Sequence, residues 1–382
     1  MKKILIILCI FLLTGCFNYT ELNKMALVSS IGIDKKDDLY EVSVQVMNAK
    51  ESNSTDGSQV TVYTEKGKSI FYALRKISLK SPRKLYGSHL GKLVLSKEIA
   101  NENIIDVLDV FQRNSNVKND FNIVIIDNIS AKDSLKILTT TQSIPSEYVR
   151  QTISSAYYNT GLTYSIKQDE FISMHLKKYI DPVIPVIKIT NYEEKGTTTD
   201  NLNTTDPITK IEVLDKLAII KENKVEDYLY DNEILGYNFI NNNVHNIVIP
   251  VKCDKNNYSS IALKSKTKYK IKKDNNKYKL TINIKSTGNI NEYSCDKNLN
   301  KKENIEELEK KTKKEIEKAI KKVLIKDKNV KSNFLGLKRK IYLKYSDYKN
   351  EEIDINYNIN VSIRNKGSLN NSIKDDNYEE NK

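Results

Sequence analysis

The chain has 382 residues, with 62 Lys or Arg against 49 Asp or Glu, a formal net charge of +13, and 39% hydrophobic residues. That length is the size of two or three domains, and a mean hydropathy of −0.52 excludes a polytopic membrane protein. Four cysteines exclude a disulfide-dense scaffold, while the positive balance makes nucleic acid a partner class to be tested against the location of the charge and of the protein.

Residues 1–16 read MKKILIILCIFLLTGC. Lys2 and Lys3 form a positive start, and the ten apolar residues Ile4 to Leu13 are too few to span a bilayer as a helix. Leu13-Thr14-Gly15-Cys16 matches a bacterial lipobox. Residues 1–15 are therefore expected to be a cleaved lipoprotein signal peptide, leaving 367 residues that begin at a Cys16 carrying S-diacylglycerol and an N-acyl chain. At ~0.8 kcal/mol per buried CH₂, several acyl chains hold a protein on a membrane where one does not. The expected address is the outer face of the cytoplasmic membrane, where nucleic acid is not an expected partner. Cys9 leaves with the signal peptide, so Cys253 and Cys295 are the thiols of the folded body. Both alternatives, a disulfide and two free thiols, stay open.

In the first half, Leu27 to Asp34 and Leu39 to Met47 read as strands joined by the polar Lys35 to Asp38, a hairpin. Val60 to Thr64 is a short strand, and Lys68 to Leu79 carries a helical apolar stripe. Leu90 to Leu95 is a strand, Ser96 caps a helix running to about Arg113, and Phe121 to Ile126 is apolar enough for a strand covered on both faces. Ser130 to Leu138, a segment starting at Pro145, and Ile166 to Tyr179 read as helices. Val183 to Ile189 reads as a strand, and Pro182 and Pro185 place it at a sheet edge. Residues 193–210 lack apolar periodicity and read as a linker or long loop.

The second half opens with a strand, Ile211 to Ile220, then a helix from Asp231 to Ile240 and a short strand from Ile247 to Val251. A long hairpin follows, Ser259 to Lys272 returning through Tyr278 to Lys285. Glu303 to Lys326 has Ile305, Leu308, Thr312, Ile316, Ile320, Val323 and Leu324 on one helical face. Asn333 to Tyr345 is helical or irregular, and Ile353 to Ile363 alternates as a strand with one buried face. The division this suggests is 16–192 as an N-terminal α/β region of two subdomains, 211–367 as a C-terminal α/β domain, and 368–382 as a polar tail without structure.

The charge is not spread evenly. Residues 251–350 hold 29 Lys or Arg against 12 Asp or Glu, and the remainder holds 33 against 37. Lys264, Lys266, Lys268, Lys270 and Lys272 occupy every second position, so on a strand they line one face, joined by Lys277, Lys279 and Lys285 of the return strand. Such a ladder serves as a solvated face that resists edge pairing, or as a contact for anionic head groups or an acidic partner.

No arrangement of residues carries catalysis or metal binding. His89, His175 and His245 are far apart and lack HxH or HxxxH spacing, there is no CxxC, and Gly87-Ser88-His89-Leu90-Gly91 has its serine one place early for a nucleophile elbow. No phosphate-binding glycine loop is present. No enzyme activity, cofactor or metal is expected.

Leu13-Thr14-Gly15-Cys16-Phe17-Asn18-Tyr19-Thr20-Glu21-Leu22-Asn23, followed by Ala26-Leu27-Val28-Ser29-Ser30-Ile31-Gly32-Ile33-Asp34 and Tyr40-Glu41-Val42-Ser43-Val44-Gln45-Val46, resembles the opening of the Ger(x)C family, the lipoprotein C subunits of spore nutrient-germinant receptors. Ile144-Pro145-Ser146-Glu147-Tyr148, Pro182-Val183-Ile184-Pro185 and Asp215-Lys216-Leu217-Ala218-Ile219-Ile220 fit in the same order, while Phe17 stands where the family usually has Trp. The resemblance runs from Cys16 to about Gly367. It implies a lipoprotein of three α/β domains on the outer surface of the spore inner membrane, acting with integral-membrane A and B subunits to start germination. A different class of function, a tethered solute-binding protein capturing a small nutrient, requires a cleft around residues 190–215.

Overall fold

A computed structural model describes residues 21, 24–48, 58–142, 144–253, 257–274, 277–295 and 297–365. The signal peptide, Cys16 and the acidic tail lie outside the described residues. The class is mixed α/β, with two sheets and nine helices among the described residues.

The first sheet begins with β1 (Met25–Lys36) and β2 (Leu39–Met47), antiparallel from Lys36↔Leu39 onward. Asp37 and Asp38 turn the chain at φ 51° and 59°, the two positive values that a tight two-residue hairpin needs. β3 (Val60–Gly67) extends this edge. β4 (Lys84–Tyr86), β5 (Lys92–Leu95) and β6 (Asn122–Ile126) follow, and β5 and β6 lie parallel to β1 in the middle. β7 (Val183–Thr190), β8 (Lys210–Lys221) and β9 (Lys224–Tyr230) complete the order β3-β2-β1-β5-β6-β7-β8-β9, with β4 beside β1.

One expectation changes here, and one of two alternatives is selected. β7 is an interior strand, not an edge, because Pro185 falls at a register shift between Pro185 and Ile187, where a missing N–H is tolerated. Residues 193–210 connect the antiparallel neighbours β7 and β8 rather than separating two sheets, and the first sheet continues to Tyr230. The side chain of Asn201 orders that segment: its Nδ2 donates to the carbonyls of Leu138 and Thr209, 3.1 Å each. The resemblance implies three domains; the described strands are gathered into two sheets.

Helices cover both faces of the first sheet. α1 (Ile70–Lys76), α2 (Lys97–Glu102) and α3 (Ile104–Gln112) bury Ile70, Ile99, Val107, Leu108 and Phe111 on one side. The expected single helix from Ser96 to Arg113 is broken at Asn103, whose Oδ1 caps α3 by accepting from the N–H of Ile105 and Asp106. On the other face, α4 (Ala131–Ser134) and α5 (Pro145–Asn159) bury Ala131, Val149 and Ile153 with Val94, Val124 and Ile126. α6 (Gln168–His175) follows α5.

The Gly32-Ile33-Asp34 and Gln45 positions have a physical explanation. A Cβ on Gly32 would stand 3.1 Å from the Ala131 carbonyl, so glycine lets α4 approach the strand. The Asp34 carboxylate accepts from the N–H of Ala131 at 2.7 Å and Lys132 at 2.8 Å, satisfying helix donors that have no partner within the helix. Burial pushes the Asp34 carboxyl above its usual range, and these two bonds oppose that shift. At the far end, Gln45 Nε2 donates to the Leu135 carbonyl at 2.7 Å, while its Oε1 accepts from the Ser29 and Ser30 hydroxyls. One helix is thus clamped at both ends by buried polar side chains of β1 and β2.

The second sheet has the order β10-β11-β12-β13, from β10 (Ile247–Lys252), β11 (Tyr258–Asp274), β12 (Lys277–Tyr293) and β13 (Ile353–Asn365). Its inner face packs on α7 (Asn232–Ile240) and α8 (Lys302–Asn329), which touch closely: a Cβ at Gly236 would stand 2.3 Å from the Ala319 carbonyl oxygen. α9 (Leu337–Lys344) follows, as the helical alternative predicts. Residues 331–333 join the two halves. The Glu226 carboxylate accepts from Lys331 N and Ser332 N at 2.7 and 2.9 Å, and Asp181 accepts from Asn333 N at 2.6 Å.

Replacing Asp34 with Ala leaves two helix N–H groups without partners and is expected to cost about 2–4 kcal/mol in urea unfolding. Asn, which keeps one acceptor oxygen, is expected to cost about half of that. Equal stability of all three proteins would show that α4 is not held by this carboxylate.

Candidate interaction surface

β11 and β12 pair over their whole length, from Ser259↔Tyr293 to Asp274↔Lys277. Strand alternation then separates charge from core. Leu263, Ile271, Tyr278, Leu280, Ile282 and Ile284 are buried against the helices, and Tyr269 donates its hydroxyl to the Ile240 carbonyl. Lys264, Lys266, Lys268, Lys270 and Lys272 are all exposed on the other face. At ~3.4 Å per residue, neighbouring rungs lie ~7 Å apart and the five span ~27 Å.

Cross-strand pairing concentrates the charge. Lys266 faces Lys285 and Lys272 faces Lys279, with Lys268 and Lys270 opposite Asn283 and Thr281. Like charges directly opposite each other destabilise a sheet. Relief is sparse: among the described residues none of the five ladder lysines makes an ion pair, and Lys279 has Asp354 of β13 at 3.7 Å. β13 carries the surface on with exposed Asn356, Asn358, Asn360, Ser362 and Arg364. The result is a cationic face of lysine, asparagine and threonine, unfavourable to itself and complementary to an anionic surface.

The Cα atoms of Cys253 and Cys295, 42 positions apart in sequence, lie 5.9 Å from each other, within the reach of a disulfide. A bond there would close the base of the β11–β12 hairpin. A loop of that length contributes about 4 kcal/mol in the chain-entropy account.

The other polar candidates are dispersed. His245 packs against Tyr157 and Tyr158 and lies 3.3 Å from the Tyr157 hydroxyl, His175 ends α6, and His89 closes a short 3-10 turn. Among the described residues no group of three or more His, Cys, Asp or Glu side chains could hold a metal ion, and no helix is long and apolar enough to cross a membrane. Around residues 190–215 the space beside Leu138, Tyr148 and Thr209 is only about 20 Å³. A much larger cleft, about 590 Å³, lies elsewhere, between α1 and α3 over β1 and β2. Sequence reading misses it because Arg75 and Arg113 line one cleft only once both helices are laid on the same sheet face.

The fold and its motifs place the chain among the spore germination proteins. Residues 18–189 match the spore germination protein N-terminal domain, and residues 215–367 match the spore germination B3/GerAC-like C-terminal domain. The chain belongs to the Ger(x)C family. It is 27% identical to spore germination protein KC of Bacillus subtilis (strain 168), covering 97% of both chains, and 24% identical to spore germination protein B3 of the same organism, covering 94% of this chain and 95% of that one. The crystal structure of the GerBC protein shares the fold, with a TM-score of 0.54 at 20% identity over 87% of this chain and 96% of that one. The two family matches are separated at residues 190–214, whereas the first sheet continues through β8 and β9 to Tyr230.

Changing Lys264, Lys266 and Lys268 together to Gln is expected to weaken binding of unlipidated protein to anionic vesicles by about 10- to 100-fold, at ~1 kcal/mol for each lysine near the surface. The difference should shrink at high salt, where the Debye length falls to ~3 Å. Equal sedimentation of wild type and variant with the vesicles would remove the lysine face as a membrane contact. Dithiothreitol is expected to lower unfolding stability by about 2–4 kcal/mol in wild type and to leave the Cys253→Ser, Cys295→Ser protein unchanged. A wild type insensitive to reductant would mean that the two thiols are free.

Proposed function

We propose that this chain is a non-enzymatic lipoprotein subunit of a nutrient-germinant receptor. Lipid on Cys16 holds it at the outer face of the spore inner membrane, and its surfaces engage the integral-membrane A and B subunits that trigger germination. The observation that carries this reading is the coincidence of a lipobox at Cys16 with two germination-family matches that together run from residue 18 to residue 367. The relatives' names, spore germination proteins KC, A3 and B3, support a receptor setting.

The mechanism is positional. Acylation makes binding to the membrane partners an encounter in two dimensions at high effective concentration. The cationic plane of β11, β12 and β13 turns toward lipid head groups and sets the orientation of the second sheet, leaving the helical faces for protein partners. Catalysis has no part in this scheme, nor has a cofactor or metal. The division of labour follows residues 16–192 and 211–367, with β8 and β9 tying the second segment to the first sheet.

Immunoprecipitation of this chain from spore membranes is expected to recover the A and B subunits. Cys16→Ala protein is expected to leave the membrane fraction and to lose at least about ten-fold in recovered partner, the scale of a lost second attachment. Wild-type precipitates lacking both subunits would overturn the reading.

A further inference from the structure

The cleft between α1 and α3 has the build of a ligand site. Val28, Ile31, Val44 and Phe111 close its base and are themselves buried, and its open apolar walls are Leu74 of α1, Leu85 of β4 and Val110 of α3. A loop closes one end by packing Val117 against Gly87, where any Cβ would stand 2.6 Å from the Val117 Cγ2. The volume of about 590 Å³ falls within the 300–1,000 Å³ typical of small-molecule pockets. Phe71 stands at the mouth with 46% of its surface exposed, a large ring left in water where the apolar walls begin.

The polar groups at the mouth are unbalanced. Arg113 is paired with Asp109 at 2.7 Å, so these two cancel. The Arg75 guanidinium lies 4.9 Å from the centre of the Phe71 ring, and Lys84 stands on the opposite strand. Among the described residues neither Arg75 nor Lys84 has a carboxylate partner. Apolar walls beside two uncompensated cations and an exposed ring fit an occupant with an apolar body and one anionic end. The cationic end, by contrast, has no acceptor left for it, because Asp109 already holds Arg113.

We propose that this cleft binds a small monoanion with an apolar body, its carboxylate on Arg75 and Lys84 and its hydrocarbon against Phe71, Leu74, Leu85 and Val110. Arg75 offers a carboxylate two parallel N–H donors, and Lys84 adds a point charge. Phe71 covers the apolar part once the anion draws Arg75 over the mouth. The proposal goes beyond the receptor-subunit reading, which requires no ligand on this chain, and it stands or falls independently of partner recovery.

Isothermal titration of the full chain in detergent with 3-phenylpropionate tests it, with 3-phenylpropanol as the uncharged counterpart. Saturable binding is expected for the acid, weaker by about ten-fold or more for the alcohol. Arg75→Gln and Lys84→Gln, both at exposed positions that leave the core intact, are each expected to weaken the acid by about five- to ten-fold without changing the alcohol. Phe71→Ala is expected to weaken both compounds. Lys264→Gln, on the second sheet, is expected to change neither. Absence of saturable binding of the acid up to about 10 mM, equal affinity for acid and alcohol, or acid binding indifferent to both Arg75→Gln and Lys84→Gln would each overturn the proposal.

Discussion

A pleated strand sends successive side chains to opposite faces, and that constraint organises the basic half of this protein. β11 and β12, 17 residues each, keep one alternation from core to surface over most of their pairing. The buried side, with Leu263, Ile271, Leu280, Ile282 and Ile284, gives α7 and α8 a continuous apolar bed. At ~25 cal/mol per Å² of apolar surface, that bed outweighs the repulsion that the lysine rungs impose on one another, about 0.6 kcal/mol per neighbouring pair in water before screening. The charge ladder is thus tolerated because the opposite face is anchored, and a slip of one residue would exchange the two faces. A disulfide between Cys253 and Cys295 at the hairpin base would act against such a slip.

The elements legible in the sequence are those with one dominant period. The β1–β2 hairpin, the all-buried β6, the stripe of α8 and the alternation of β13 each show a single repeat over many residues. The misread elements depend on partners remote in the chain. Lys224–Tyr230 escapes notice because Asp227 interrupts its apolar positions, yet it pairs with β8 and its Asp227 meets Lys326 of α8 at 2.6 Å. Pro185 marks an edge by local rules, but a register shift lets an interior strand keep it. Residues 193–210 are the long loop of the two alternatives, and what local periodicity does not show is that Asn201 and Gly196 tie them back to Leu138. The lysine plane was readable from alternation alone; the cleft was not, since α1 and α3 are separated by two strands and a helix and only the sheet brings them together.

The joint between the sheets follows the same logic. Backbone N–H groups of residues 331–333, which no helix or strand satisfies, are taken by the carboxylates of Glu226 and Asp181. Charge-assisted bonds of this kind fix direction more tightly than apolar contact does. Asn238 adds two more, from α7 to the carbonyls of Gly161 and Thr163, 2.8 and 3.0 Å away. Movement of one sheet relative to the other would have to break several polar bonds at once, two of them buried, so the two halves would report a partner's push together rather than as two beads on a string.

Covalent reach ties the proposed anchor to the proposed ligand site. Val28, on the cleft floor, is twelve residues from Cys16. An extended chain covers at most ~3.6 Å per residue, so a lipid on Cys16 would keep the cleft within about 43 Å of the bilayer surface whatever path the connecting residues take. The lysine face belongs to the other sheet, and the polar joint at residues 331–333 would carry its orientation to the first. Seating that face on anionic lipid would therefore also fix the direction in which the mouth of the cleft, with Phe71 and Arg75, opens. Anchor, charged plane and cleft would then act as one geometric system: lipidation sets the distance, the lysines set the tilt, and the polar joint makes the tilt of one sheet the tilt of both.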